Sequence, residues 1–302
     1  MQGGQQVDLW NRAIEHIEQQ ISDGAGYRSD GEVDVAALAR ITLTSEYHFR
    51  RMFSVLAGMP VSEYIRRRRM TAAASAVVSG DEPLQDVAVR FGYASADAFS
   101  RAFRAVHGVN PAEARRAGAV LRSQPPLRFS LSVKGKQQMD YRLQNEDAFT
   151  LVGRRRRMPL VHHGPNPALE QFREELGLEV LREISSLSTR SPRGVLAVST
   201  DFAEDRADGS TFEYWLAAAT DEAPAAGSGH ESLNVPPHQW LVLESQGMET
   251  EEVQQLWAKA YGEWFPANPY EPLAEPELLA TVFDQEGKPD HMELWLAVSA
   301  TG

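Results

Sequence analysis

The 302-residue sequence has no cysteine, which excludes disulfides, thiolate metal sites and cysteine nucleophiles. It also lacks any run of 18 uncharged apolar residues. Its start, MQGGQQVDLWNRAIEHIEQQ, has neither the basic end nor the apolar stretch of a signal peptide. A cytoplasmic setting is therefore the expectation. No phosphate-binding glycine loop is present. GSGH at 227–230 sits in an Ala, Gly and Ser stretch and reads as a connection rather than a strand-to-helix nucleophile turn. His162 and His163 precede Gly-Pro-Asn-Pro in a loop with no nearby ordered acid. No catalytic residue, metal or cofactor is expected, and the chain does not read as an enzyme.

What is present is unevenly spread. The formal charge is −12, yet residues 1–120 hold 14 Arg against 14 Asp or Glu, and 121–138 hold four basic groups and no acid. Residues 139–302 hold 12 basic against 28 acidic groups, a balance of −16. Within the first half, 44–69 carries six Arg against two Glu, whereas 1–34 carries two Arg against seven acids. Nucleic-acid binding depends on where charge sits, so 44–69 is the basic surface to follow.

HFRRMF at 48–53 and AFSRAF at 98–103 share one pattern, 50 positions apart. Apolar residues at helical spacing run through Val7, Trp10, Ile14, Ile17 and Ile21, then Val35, Leu38 and Ala39, then Phe49, Met52, Phe53 and Leu56. Thr44 or Ser45 can cap the third helix, and Gly58 and Pro60 end it. A longer helix is predicted from Pro60 through Val78. The set then restarts: Leu84 to Phe91, a turn at Gly92 to Ala94, a capped helix from Ser95 to His107, and a closing helix from Asn110 to Arg116. A short helix, a tight turn and a capped second helix form a helix-turn-helix, whose second helix enters the major groove. A plain helical bundle is the alternative for either segment alone. The joining helix of about 19 residues spans roughly 28 Å at 1.5 Å per residue. That approaches the roughly 34 Å between successive major-groove faces, so the doubling fits one turn of DNA.

Residues 7–116 resemble the DNA-binding domain of the AraC/XylS family. The resemblance rests on Leu38, Ala39, Ser45, His48, Arg51, Phe53, Gly58, Pro60, Tyr64, Ile65, Arg68 and Met70. In the second half it rests on Asp86, Val87, Ala88, Phe91, Gly92, Tyr93, Ser95, Phe99, Arg101, Phe103, Gly108 and Pro111. It implies base reading by Tyr47, Arg50 and Arg51 in the first recognition helix and by Asp97, Ser100 and Arg101 in the second. Arginine can hold guanine O6 and N7 by two parallel hydrogen bonds, Tyr47 can pack a thymine methyl, and Asp97 can accept from cytosine N4. Ser45, Thr44 and Ser95 suit phosphate binding at helix starts. An intra-domain salt bridge is the ordinary alternative for Arg51 and Arg101. The RRRR at 66–69 fans round its helix, because successive residues point about 100° apart, and Arg68 holds a position the family often uses structurally. The RRRR at 154–157 reads as a solvated strand edge that discourages strand addition.

Residues 118–138, a linker, contain the alternating Leu127, Phe129, Leu131 and Val133, an arm expected to rest on a neighbour. From 139 onward the periodicity predicts a strand near 140–154, a helix near 167–184 and strands near 194–200 and 211–220. A strand near 239–246, a helix near 250–264 and strands near 278–284 and 291–299 follow. The expected fold is thus multidomain. An N-terminal all-α double helix-turn-helix domain (7–117) precedes a C-terminal α+β domain (139–300) of two βαββ units. That second domain should form antiparallel sheet, with two helices on one face and a cleft where the units meet.

MDYRLQNEDAFTLVG, RGVLAVST, FEYWLAAAT, VPPHQWLVLESQG, LWAKAYGEWFPANPYEP and HMELWLAV, in that order between 139 and 298, make this region similar to the gyrase-inhibitor-like, or effector-binding, domain. That resemblance implies a small organic ligand, often a lipophilic cation, between aromatic walls and a buried carboxylate. Strand alternation puts Glu293 with Trp295 on one face and Glu213 with Trp215 on one face. An acid beside an indole suits a cation through Coulomb attraction and cation–π contact. The implied lining is Glu213, Trp215, Trp240, Trp264, Tyr270, Glu293 and Trp295. One departure stands out. The family writes Pro-Glu-Leu-Glu-Val-Tyr where this chain has PELLAT at 276–281, so Leu279 and Thr281 replace Glu and Tyr. The carboxylates that remain are Glu293, Glu277 and Glu213.

The sequence therefore reads as a transcriptional regulator whose partners are double-stranded promoter DNA and a small, cationic and aromatic organic effector. RNA polymerase is a further partner to consider, and the chain could be a monomer or a dimer. The alternatives are a hydrolase or drug-sequestering module, or a protein-interaction module, fused to a DNA-binding domain.

Overall fold

A computed structural model describes residues 2–23, 34–116, 118–129, 140–161, 164–203, 210–225 and 227–301. His162, His163, Leu131 and Val133 lie outside them. The chain divides into two compact units, 1–49 with 59–133, and 50–58 with 134–302.

The first unit is helical. Helices α1 (Gln2–Asp23), α2 (Val35–Thr42), α3 (Glu46–Ala57), α4 (Val61–Ser79), α5 (Leu84–Arg90), α6 (Ala96–His107) and α7 (Pro111–Ala114) occur where the sequence spacing placed them, though α3 runs on into the second unit. Their ends follow from local chemistry. Asp34 accepts from the Ala37 amide at 3.1 Å, Ser45 from His48 at 3.2 Å and Ser95 from Ala98 at 3.1 Å, satisfying amides that lack intrahelical partners. Gly80 and Gly108 close α4 and α6 at φ of 70° and 80°, where a side chain would be strained.

In the second helix-turn-helix, Val87, Ala88, Phe99, Phe103 and Val106 pack on Met70, Ala73 and Val77 of α4. At the other end, Trp10 of α1 stacks on Phe49 with ring centroids 5.1 Å apart. The four arginines of α4 do fan out: Arg66 and Arg67 pair with Glu63, Arg69 is buried, and Arg68 holds Glu18 through two nitrogens at 2.8 and 2.5 Å. The Tyr64 hydroxyl donates to the same Glu18 at 2.9 Å. Beside Glu18 and away from water, that phenol is held well above its usual range, burial being the largest cause. The arm at 121–129 straps this unit. Its Gln124 amide donates to Thr71 Oγ1 and its Leu127 amide to the Tyr64 hydroxyl, while Phe129 exchanges two hydrogen bonds with the Asn11 side chain.

The second unit is built on a nine-stranded sheet. The strands are β1 (Tyr141–Glu146), β2 (Phe149–Pro159), β3 (Leu196–Thr200), β4 (Thr211–Thr220), β5 (Glu231–Val235), β6 (His238–Glu244), β7 (Tyr270–Pro272), β8 (Glu277–Phe283) and β9 (Pro289–Ala300). Their order is β1-β6-β9-β8-β3-β4-β2-β5, with β7 beside β9, and every pairing is antiparallel. The expected βαββ units are β2-α8-β3-β4 and β6-α9-β8-β9, where α8 is Pro167–Ser186 and α9 is Thr250–Lys259.

The strand expected at 140–154 is half of a broken ribbon. Tyr141 opposes Leu243 and Gly153 opposes Glu231 in one unbroken register, interrupted only at Asp147–Ala148 and Pro236–Pro237. Proline has no amide proton for the ladder, so two prolines end one pairing and start the next. The arginine run at 154–157 lies beyond the part of β2 that meets β5, with Arg155, Arg156 and Arg157 exposed, in agreement with the expected solvated edge. It pairs with β4 throughout, and its arginines meet Ser228, Glu213 with Glu231, Glu175 and Asp201 in turn.

The faces of this sheet differ. One carries α8, whose Phe172 and Leu181 pack on Met158, Phe212 and Leu216. On the other, Phe149, Leu151, Trp215, Trp240, Leu278 and Trp295 bury one another. The cleft expected there is filled by its own side chains: Trp215, Trp240 and Trp295 are at most 2 % exposed. Large indoles fit because Ala217, Ala219, Ala280 and Ala297 lie among them. At Gly153 a Cβ would sit 2.1 Å from the Leu216 carbonyl oxygen and 2.6 Å from Ala217 Cα. Gly153→Ala should therefore destabilise the protein by about 2 kcal/mol or more, because backbone has to move. Urea denaturation checks this, and a change within about 0.5 kcal/mol contradicts the packing described.

Candidate functional site

The recognition helices expose different amounts of their candidate residues. In α6 the buried stripe of Phe99, Phe103 and Val106 turns Asp97, Arg101 and Arg104 outward. Ser100 is half-buried, and Ser95 spends its hydroxyl on the helix cap. In α3, Tyr47 and Arg50 are half-buried, Ser45 is exposed, and its hydroxyl caps the helix. Arg51 was expected to face solvent beside them. It is instead 7 % exposed, and its guanidinium donates to Glu277 Oε2 of β8 at 3.1 Å. The reason is electrostatic: Glu277, 4 % exposed, would otherwise be a charge removed from water with too little compensation.

Around Glu277 the second unit forms a compact polar group. Trp257 of α9 donates its indole N–H to the same Oε2 at 2.7 Å, and the Arg51 guanidinium carbon lies 5.1 Å from the Tyr261 ring centroid. Tyr261 belongs to a π-helical turn, Ala260–Trp264, that continues α9. Such widened turns often occur at functional positions. Leu56 lies near the same turn, 3.5 Å from where a Cβ on Gly262 would be.

Two further groups lie on the sheet face away from the helices. In register, Arg155, Trp215, Val198, Leu278, Trp295, Val242 and Arg142 form one row across seven strands. At one end Arg155 donates to Glu213 and Glu231, both at 2.7 Å, with its charge 5.4 Å from the Trp215 ring. At the other Arg142 donates to Glu244 at 2.9 Å and to Glu293 at 2.7 Å, with its charge 5.4 Å from the Trp295 ring. The Trp295 indole also donates to Glu293, at 2.9 Å. Glu213 beside Trp215 and Glu293 beside Trp295, paired by sequence alternation, are thus matched seats for a cation, and each already holds an arginine.

The seven expected lining residues do not form one wall. Glu213, Trp215, Trp240, Glu293 and Trp295 share the inner face. Trp264 and Tyr270 lie tilted against one another with centroids 5.5 Å apart, and Trp264 meets Tyr141 at 5.4 Å. Tyr141 is one residue out of step with Arg142 and so belongs to the other face. Leu279 stands opposite Leu294 and Ala197, and the Thr281 hydroxyl contacts Met292 sulfur at 3.3 Å. A carboxyl group at 279 would thus oppose aliphatic neighbours. An open polar cavity of about 380 Å³ lies at the ribbon's break, among Glu146, Asp147, Arg190 and His238. None of the seven lines it. Glu244, His291 and Glu293 bring ligand-type atoms within 4.8 Å of one another, but Arg142 bonds both carboxylates and supplies their positive charge.

Residues 38–117 match a family described as a helix-turn-helix domain, and residues 139–298 match one described as a GyrI-like small molecule binding domain. The Proteus vulgaris protein named Probable transcription factor PqrA is 27 % identical over 110 residues, which are 36 % of this chain and 85 % of that protein. The regulatory protein SoxS of Salmonella typhimurium is 31 % identical over 86 residues, 28 % of this chain and 80 % of that one. The right origin-binding protein of Escherichia coli K12 is 24 % identical over 229 residues, 74 % and 75 % of the two chains. Together with the doubled helix-turn-helix and the sheet, these matches define a DNA-binding transcriptional regulator with a small-molecule-binding domain. The chain belongs to the AraC-type regulators that carry a GyrI-like domain.

One buried group in α3 gives the site a pH dependence. Burial pushes the His48 imidazole down from 6.5 to about 4, because a charged ring would lose its hydration. The unfolded chain therefore binds a proton that the folded one refuses. Stability from this group is full above pH 6.5 and falls as pH drops from 6.5 towards 4, by roughly 3 kcal/mol in all. His48→Leu should flatten that part of the profile. Urea midpoints measured from pH 7 to pH 4.5 decide it, and equal slopes in both proteins contradict the assignment.

Proposed function

We propose that the chain is a sequence-specific regulator whose C-terminal domain senses a small, aromatic organic cation in the cytoplasm. The observation that carries the ligand class is the recurrence of one arrangement. Glu213 with Trp215, Glu293 with Trp295, and Glu277 with Trp257 each pair a carboxylate with an indole and hold a guanidinium. A positive group gains there both Coulomb attraction and the negative face of a ring. An anion would meet three carboxylate-lined positions and is disfavoured at each.

On the DNA side, Arg50, Arg51 and Tyr47 of α3 and Arg101, Ser100 and Asp97 of α6 are the base-reading set. Ser45 and Ser95 stand at the helix starts, where backbone amides can meet phosphate. RNA polymerase is the protein partner that an activating role would require. A ligand changes DNA binding only through different affinities for two states of the chain.

Two outcomes test this. Arg101→Ala should relax base preference within one half-site by about 1 to 3 kcal/mol, read by binding selection on random duplexes. Equal loss across all sequences would mark Arg101 as a phosphate contact. In thermal-shift screens, aromatic cations should raise the melting temperature with ln(1 + [L]/Kd), and their neutral isosteres should not. Equal shifts from the neutral compounds contradict the cation reading.

A further inference from the structure

Glu277 and Glu293 are the carboxylates buried among the described residues. Their guanidinium partners differ in kind. Arg142, which holds Glu293, is 39 % exposed in its side chain, belongs to the sheet and is shared with Glu244. Arg51 is 9 % exposed in its side chain and sits on α3, which lies within the residues that match a helix-turn-helix domain and which is read above as a recognition helix.

We propose that Glu277, Trp257 and Tyr261 form the effector's cation seat, and that Arg51 occupies this seat when the effector is absent. The ligand class follows from the occupant. A planar guanidinium donates to Glu277 Oε2, an oxygen fixed from another direction by the Trp257 indole, while its charge lies 5.1 Å from the Tyr261 ring. A planar nitrogen cation attached to an aromatic ring, an amidinium or arylguanidinium, repeats all of these contacts. It adds apolar area where Leu56 lies against the π-helical turn. The departure at Leu279 fits this choice, because the seat's carboxylate is Glu277, two residues earlier on the same face of β8.

One guanidinium cannot pair with Glu277 and reach a base edge at once. Occupation of the seat by an effector therefore liberates Arg51, and DNA that engages Arg51 liberates the seat. The coupling has a fixed sign: cation and DNA strengthen one another's binding, by the same factor. This rests on the proposed reading of Arg51 as a base reader and of the domain as a cation sensor, and the test separates those readings from the seat itself.

The probe is benzamidinium, titrated into the full chain by calorimetry. Arg51→Met should bind it at least tenfold tighter than the parent chain, because the internal competitor is gone. Glu277→Gln should abolish binding in either background. If Arg51→Met binds no tighter, the Arg51–Glu277 pair is only a structural salt bridge and the seat is overturned. Should Arg51→Met fail to fold, Arg51→Lys keeps a charge on the carboxylate without the planar fork. It should then bind the probe more tightly than the parent, and equal affinity overturns the seat. A duplex selected by the parent chain provides the second readout. Glu277→Gln should hold it more tightly, since Arg51 is released, and weaker or unchanged binding contradicts the competition. If the parent chain selects no duplex at all, the regulator reading fails, and the benzamidinium titrations alone judge the seat.

Discussion

A carboxylate taken out of water must find positive charge and hydrogen-bond donors, or it does not stay ionised. Much of this protein is arranged around that requirement. Glu18 is held by Arg68 and Tyr64, Glu293 by Arg142 and Trp295, and Glu277 by Arg51 and Trp257. The C-terminal region carries a formal −16, so each arginine committed to a buried acid fixes a strand or helix in place. The Glu18 pair ties α4 to α1, and the arm at 121–129 is fastened through the same Tyr64 and Arg68.

The sheet repeats one device at both ends of a transverse row. Arg155 over Trp215 and Arg142 over Trp295 close the inner face with guanidinium and indole, and the alanines and β-branched residues between them let the rings lie buried. The carboxylates at both ends of this row already hold a guanidinium. The group at Glu277 differs because its occupant comes from α3, whose other expected task is on DNA. In the proposed account, Arg51 is the position at which a ligand's charge and a base edge compete for one side chain.

The helices were legible because helical spacing, caps and glycine stops all act within a few residues: Ser95, Gly108 and the Asn110–Glu113 box mark their elements locally. The two βαββ units were legible from alternating runs such as FEYWLAAAT and HMELWLAV. The strand β5 was missed, since ESLNV follows a Gly- and Ser-rich stretch and precedes two prolines, and its pairing with β2 is a long-range fact. The solvated edge at 154–157 was legible from four adjacent arginines, but their acceptors Glu213, Glu231, Glu175 and Asp201 were not, because register and packing set them. Glu213 with Trp215 could be paired by parity along one strand. Which cation answered them could not, because Arg155 and Arg142 stand on other strands. Arg51 illustrates the limit within a helix. Its spacing from Phe49 and Phe53 shows that it lies off the main apolar stripe, but not that Glu277, 226 residues away, would claim it.

The most direct test of the central claim is reciprocal linkage in the unmodified chain. Affinity for a selected duplex is measured at increasing benzamidinium, and affinity for benzamidinium is measured with and without saturating duplex. Competition for Arg51 predicts that both tighten, and by one common factor. Duplex affinity that is unchanged or weakened while benzamidinium is bound would contradict it.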